Sequence, residues 1–142
     1  MTVLIRLQLA ILVLVQLVVG FWNQVFPASF YRDFPTVDLT PPFSEHYARD
    51  FGGATLGIAV VLAIAFARPR AVFVIPATLA YSTYAIPHFF FHAHHLDGAT
   101  TLEAVALTAA NTLVAVMGLA IIALTLARDQ HEKAARSSAV AT

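Results

Sequence analysis

The stretch Val3-Leu-Ile-Arg6-Leu-Gln8-Leu-Ala-Ile-Leu-Val-Leu-Val-Gln16-Leu-Val-Val-Gly20-Phe-Trp-Asn23-Gln24-Val-Phe26 contains one charge and four side-chain amides in an otherwise apolar run. A helix that crosses a bilayer needs about 20 mainly apolar residues, and this run supplies them. A secretory signal has a shorter apolar part, of about 7–15 residues, and a small-residue cleavage site after it. No such site follows here, so the run reads as a retained helix. Three further stretches repeat the pattern. The expected spans are about residues 3–26, 51–67, 71–91 and 102–127. The second is short, but its helix gains length if it starts near Ser44, a good N-cap, with Glu45 in the first turn. Residues 1–128 are therefore expected to form an all-α, integral membrane four-helix bundle, and the polar, Ala- and Ser-rich residues 129–142 a disordered cytoplasmic tail.

Composition points the same way. The 142 residues are 59% hydrophobic and only 11% charged, with a mean hydropathy of +0.77. Soluble domains carry about 25% charged residues, and a chain this small cannot hide so much apolar surface in its own core. The lipid bilayer is the expected partner, with a homo-oligomer or a larger membrane protein as further candidates. A formal net charge of zero argues against nucleic acid. The absence of cysteine excludes disulfides and thiolate ligands, and with only two methionines a soft copper(I) site is not expected.

Orientation follows from the cations. Arg6, Arg68, Arg70, Arg128, Lys133 and Arg136 fall on one side of the expected bundle, Arg32 and Arg49 on the other. Both termini are thus expected in the cytoplasm of a multi-pass protein of the cell (inner or plasma) membrane. The outward side carries Asp33, Asp38, Glu45, Asp50, Asp97 and Glu103, together with five of the six histidines.

Those histidines give the strongest chemical signal. At the helical period of about 100° per residue, Tyr81, Tyr84, His88, His92 and His95 share an arc of about 80°. Two histidines at i and i+4 can grip one metal ion, as in HExxH helices, and His95 would add a third ligand. A second helix normally closes such a site, and Glu45, His46 and Asp50 are the best donors, with Glu103 another. Imidazole and carboxylate together suit zinc or iron. Gly98 is placed to close the helix as its C′ residue.

Other roles stay open. Histidine and tyrosine suit membrane interfaces, where apolar body and polar tip are both satisfied. Pro87 can kink the helix and spoil the register. Thr100-Thr-Leu-Glu103 matches a capping box, and Glu45 with Arg49 matches an i,i+4 ion pair. The histidines also suit a proton relay without metal, or axial ligation of haem by His46 with His88 or His92. Polar groups at membrane depth are costly and usually functional.

Packing signals are a GxxxG at Gly53 and Gly57, continued by Ala59, Ala63 and Ala67. Gln16, Gly20 and Asn23 share one face of the first helix, with the amides expected to bond neighbouring helices. Residues 27–50 show prolines throughout and no clear helix. A loop this long is often a lid; here it is expected to sit over the histidines as a stiff cap or a gate.

The Pro27-Ala-Ser-Phe-Tyr31 exit, the Glu45-His-Tyr-Ala-Arg-Asp-Phe-Gly-Gly53 entry and the Arg68-Pro-Arg70 turn resemble small four-helix membrane proteins of the DoxX-like kind, including uncharacterised actinobacterial ones. That resemblance implies the layout and assigns no residue a role. His88-x-x-x-His92-Ala-His94-His95 also resembles, in compressed form, the HxxxH and HxxHH boxes of membrane fatty-acid hydroxylases and desaturases. Those enzymes use several boxes facing the cytoplasm; this chain has one, expected outward. The functional expectation is an outward-facing, histidine-rich transition-metal site, in a metalloenzyme acting on a lipid-soluble substrate or in a metal carrier. A non-catalytic accessory or scaffold subunit is the alternative, and whether the chain is an enzyme stays open.

Overall fold

The computed structural model describes residues 1–39 and 42–140. Among them the chain is all-helical: α1 (Thr2–Val25), α2 (Pro27–Asp33), a 3₁₀ turn (Val37–Leu39), α3 (Glu45–Ala67), α4 (Ala71–His94) and α5 (Thr101–Val140). Three of these, α1, α3 and α5, are long and apolar enough to cross a membrane. At 24 residues α4 matches α1 in length, but Tyr81, Ser82, Thr83, Tyr84 and His88 make it less apolar. A continuous core runs between the long helices, from Ile5, Leu9 and Leu12 through Leu62 and Ala65 to Val74, Ala77, Tyr81 and Ile121. The opposite faces expose Leu4, Leu7, Leu14, Val60, Val72, Leu113 and other large apolar side chains.

Packing is uneven. α1 lies along α3 and α4 lies along α5, whereas α1 and α5 touch less. Small residues set the closest approach, though not those of the GxxxG pattern. A Cβ on Gly52 would stand 2.5 Å from the Gln24 backbone nitrogen and 2.9 Å from the Gly20 carbonyl oxygen. Gly20 in turn faces the backbone of Leu56 and Gly52. Gly57 meets nothing within 4 Å, and both Gly53 and Gly57 are exposed. The α1–α3 seam is therefore Gly20 against Gly52. On the other side Gly118 admits Ser82 and Tyr81 of α4 against α5.

Several expectations are revised. Residues 27–33, read as loop, form α2, because Pro27 at its first turn has the backbone angle a helix start requires and no N–H to waste. α3 does begin after Ser44, although the serine makes no side-chain cap. α4 runs through Pro76 and Pro87 and stops at His94. Gly98 therefore lies beyond the helix end, in a turn at φ +83°, rather than closing it as C′. Residues 129–140, expected as a disordered tail, continue α5. Their alanines, Arg136, Lys133 and Glu132 are good helix formers; the tail's last two residues, like Thr40 and Pro41, lie outside the described part. At this end Arg128 is buried and donates from Nη1 to the Pro69 carbonyl at 2.7 Å while pairing with Asp129 at 2.8 Å. The α3–α4 turn is thus tied to α5.

Gly52→Ala is expected to destabilise the fold by about 1–3 kcal/mol, the usual cost of overpacking. Gly57→Ala is expected to be neutral or to stabilise by up to about 1 kcal/mol through helix propensity. Thermal unfolding midpoints of the two variants, compared in one detergent, check the contrast; equal midpoints would place the seam elsewhere.

Candidate functional site: a half-open cavity at the histidine end

Because α1 follows α3 while α5 follows α4, the two outer helices leave space between them. A cavity of about 500 Å³ fills it. Val15 and Val19 of α1 form one wall, and Leu107, Ala110 and Val114 of α5 the facing one. Phe51 closes the side along α3, and Tyr81, Tyr84, His88 and His92 of α4 form the chemical wall. None of the described lining residues is Asp, Glu, Lys or Arg.

The segment after α1 forms a cover. Phe30, Tyr31, Phe34 and Phe43 face the cavity from above. Trp22 holds this cover down: its ring packs edge-on against Phe30 at 5.7 Å and Phe34 at 6.1 Å, and Phe30 stacks on Phe34 at 4.6 Å. Trp22 Nε1 donates to Ser29 Oγ at 3.1 Å, and Ser29 donates to Asp33 at 2.9 Å. Hydrogen bonds from Arg32 and then Ser29 hold the Asp33 carboxyl below its ordinary range. Thr36, which lines the cavity, sits at φ +70°, a strained angle for a β-branched residue.

The histidine stripe is assembled in part. Tyr84, His88 and His92 keep one face across Pro87, with ring centroids 5.0 Å apart from Tyr84 to His88 and 4.4 Å from His88 to His92. Phe51 of α3 meets Tyr84 at 5.7 Å. His95 does not join them. It falls just past the helix end, where its Nδ1 donates to the Phe91 carbonyl at 2.7 Å and its ring stacks on Phe91 at 4.1 Å. His94 bonds the Phe90 carbonyl at 2.8 Å in the same way. Both imidazoles are thus engaged by backbone carbonyls one turn back, at the end of the helix.

The expected donors from other helices are engaged locally. His46 pairs with Asp50 at 3.3 Å and Glu45 with Arg49 at 2.7 Å, all on the exposed start of α3. Glu103 and Thr100 make the reciprocal capping box, with the Thr100 N–H donating at 2.8 Å and the Glu103 N–H at 3.3 Å. Among the described residues no group of three or more His, Asp or Glu side chains is gathered as a metal would require. His88 and His92 are the two candidate ligands that the fold brings together.

Three amides were not singled out for the site. Asn111 on α5 lines the cavity and donates to the Leu107 carbonyl at 3.0 Å. Gln16 and Asn23, expected to bond neighbouring helices, are each only 4% exposed and line the cavity without any side-chain hydrogen bond among the described residues. Gln16 Oε1 is buried with no partner among the described residues. Their shared face was readable from sequence; their lack of partners was not. Tyr81, by contrast, donates its hydroxyl to the Val114 carbonyl at 3.2 Å.

No family model matches the chain, and neither a curated protein nor a solved structure matches it. The site is therefore read from its own chemistry.

An unpaired buried polar group costs about 1–3 kcal/mol. Gln16→Met, which keeps the volume and removes the amide, is expected to raise the stability of delipidated protein by about that amount. Thermal unfolding of ligand-free wild type and variant checks this, and a lower midpoint for the variant would show that the amide is satisfied.

Proposed function

We propose that this chain is a four-crossing membrane protein, with both termini in the cytoplasm, that binds a lipid-soluble small molecule in the cavity at its outer end. The observation that carries the reading is the cavity itself. Its volume lies in the usual range for small-molecule sites, its walls are apolar and aromatic, and a few polar groups converge on it. Its gap between α1 and α5 lies among side chains that suit lipid, so a ligand dissolved in the bilayer has a short sideways entry. The six-to-two distribution of Lys and Arg supports the orientation, and the length of α4 supports a fourth crossing.

The adjacency of His88 and His92 favours one elaboration of this reading. Two imidazoles one turn apart supply half of a four-coordinate transition-metal shell. Zinc or iron held there would leave positions for water and for an oxygen of the bound molecule. The metal would act as a Lewis acid or redox centre, while the cover keeps bulk water away.

Two experiments separate these statements. Protein captured with its native lipid in nanodiscs is expected to yield a stoichiometric small molecule on organic extraction and mass spectrometry. Ala110→Trp, at an exposed position on the cavity wall, is expected to lose most of it; equal recovery from both would overturn the cavity reading. Elemental analysis of wild type and of the His88→Ala, His92→Ala double variant tests the metal. Less than about 0.2 zinc or iron per wild-type chain ends that elaboration, since ligand loss alone should abolish stoichiometric binding.

A further inference from the structure

Resting on the cavity reading, we infer that the bound molecule is uncharged and flat-ringed, and that it carries a hydroxyl or carbonyl oxygen directed at one of the free amides, Gln16 or Asn23. Three independent features of the cavity lead there.

The first is electrostatic. Among the described lining residues there is no carboxylate, ammonium or guanidinium. A charged ligand would leave water without a counter-ion, which an apolar site does not tolerate. The nearby acids and arginines are committed elsewhere: Glu45 to Arg49, Asp50 to His46, and Asp33 to Arg32. With His88 and His92, the lining's imidazoles, neutral and metal-free, the ligand is therefore neutral.

The second is shape. Aromatic rings reach the cavity from the cover, from α3 and from α4, including Phe34, Phe43, Phe51, Tyr81 and Tyr84. Rings prefer edge-on or offset contact with other rings, so walls of this kind select a planar group over a bulky aliphatic one. An acyl chain alone would need no such lining.

The third is polar bookkeeping. Tyr81 and Asn111 have already donated to backbone carbonyls within the bundle. Gln16 and Asn23 have not, although each residue is only 4% exposed and the Gln16 Oε1 is cut off from solvent. They lie seven residues apart on one face of α1, about 10 Å along the helix axis. Each amide offers both a donor and an acceptor, and either end can turn toward a ligand oxygen. A ring-bound hydroxyl or carbonyl is the simplest group that satisfies such an amide without bringing charge.

Binding of 2-naphthol, naphthalene and 2-naphthoate to the full chain in nanodiscs, each corrected for partition into empty nanodiscs, tests the inference. All three present the same ring; only the first adds a neutral oxygen, and only the last a charge. Wild type is expected to bind 2-naphthol about tenfold more tightly than naphthalene, the effect of one hydrogen bond in a largely apolar site, and 2-naphthoate most weakly. The Gln16→Met, Asn23→Leu double variant is expected to lose the preference for naphthol over naphthalene. Equal affinity for naphthol and naphthalene in wild type would overturn the inference while leaving the cavity reading standing, and so would tight binding of naphthoate. Neither of these arms requires the variant to fold. If no probe binds above empty nanodiscs, and extraction yields no native molecule, the inference falls together with the cavity reading.

Discussion

The architecture depends on one backbone contact, where α1 and α3 cross at Gly20 and Gly52 with no side chain between them. Without water to pair their backbones, membrane helices gain little from burying apolar surface against each other and rely on close fit. Drawing α1 tightly onto α3 has a cost elsewhere. α4 and α5 make their own pair through Gly118, and the two pairs cannot be equally close along their whole length. At the Arg128 end the space is filled by core side chains, with Arg128 tying α5 to the α3–α4 turn. At the histidine end the space stays open and becomes the cavity.

What lines that space follows from where each helix stops. α4 carries its imidazoles in its last two turns, so His88 and His92 face inward while His94 and His95 are consumed by the terminus. The last turns of one helix and its end thus divide four similar side chains into two chemical roles. The cover completes the site, because α2 turns back sharply after Phe26 and the Trp22 clasp fixes its aromatic face over the opening.

The apolar runs made the long helices legible, because length and hydropathy are properties of each segment alone. The Tyr84–His88–His92 face was legible for the same reason, since the helical period survived Pro87. What failed were the readings that require a partner. Gly53 and Gly57 satisfy a spacing rule within one helix, yet the rule is silent on which glycine meets another backbone. His95 fitted the periodicity, but the periodicity does not reveal that the helix ends one residue earlier. α2 escaped notice because its aromatics and its proline read as loop chemistry, although proline at a first turn favours a helix. The solitude of Gln16 and Asn23 had no local signature, as an amide's satisfaction depends on what the neighbouring helices place opposite it.

The unbroken length of α5 has a mechanical corollary. Forty residues make a rod about 60 Å long, roughly twice the hydrocarbon thickness of a bilayer. One portion of it walls the cavity at Asn111, and the far portion projects past Arg128, which is pinned to Pro69. Taking that pin as a fulcrum, Asn111 lies about 25 Å away along the axis, and tilting the rod by about 5° would swing it through about 2 Å. Whatever grips the polar arm therefore holds leverage over the width of the gap between α1 and α5.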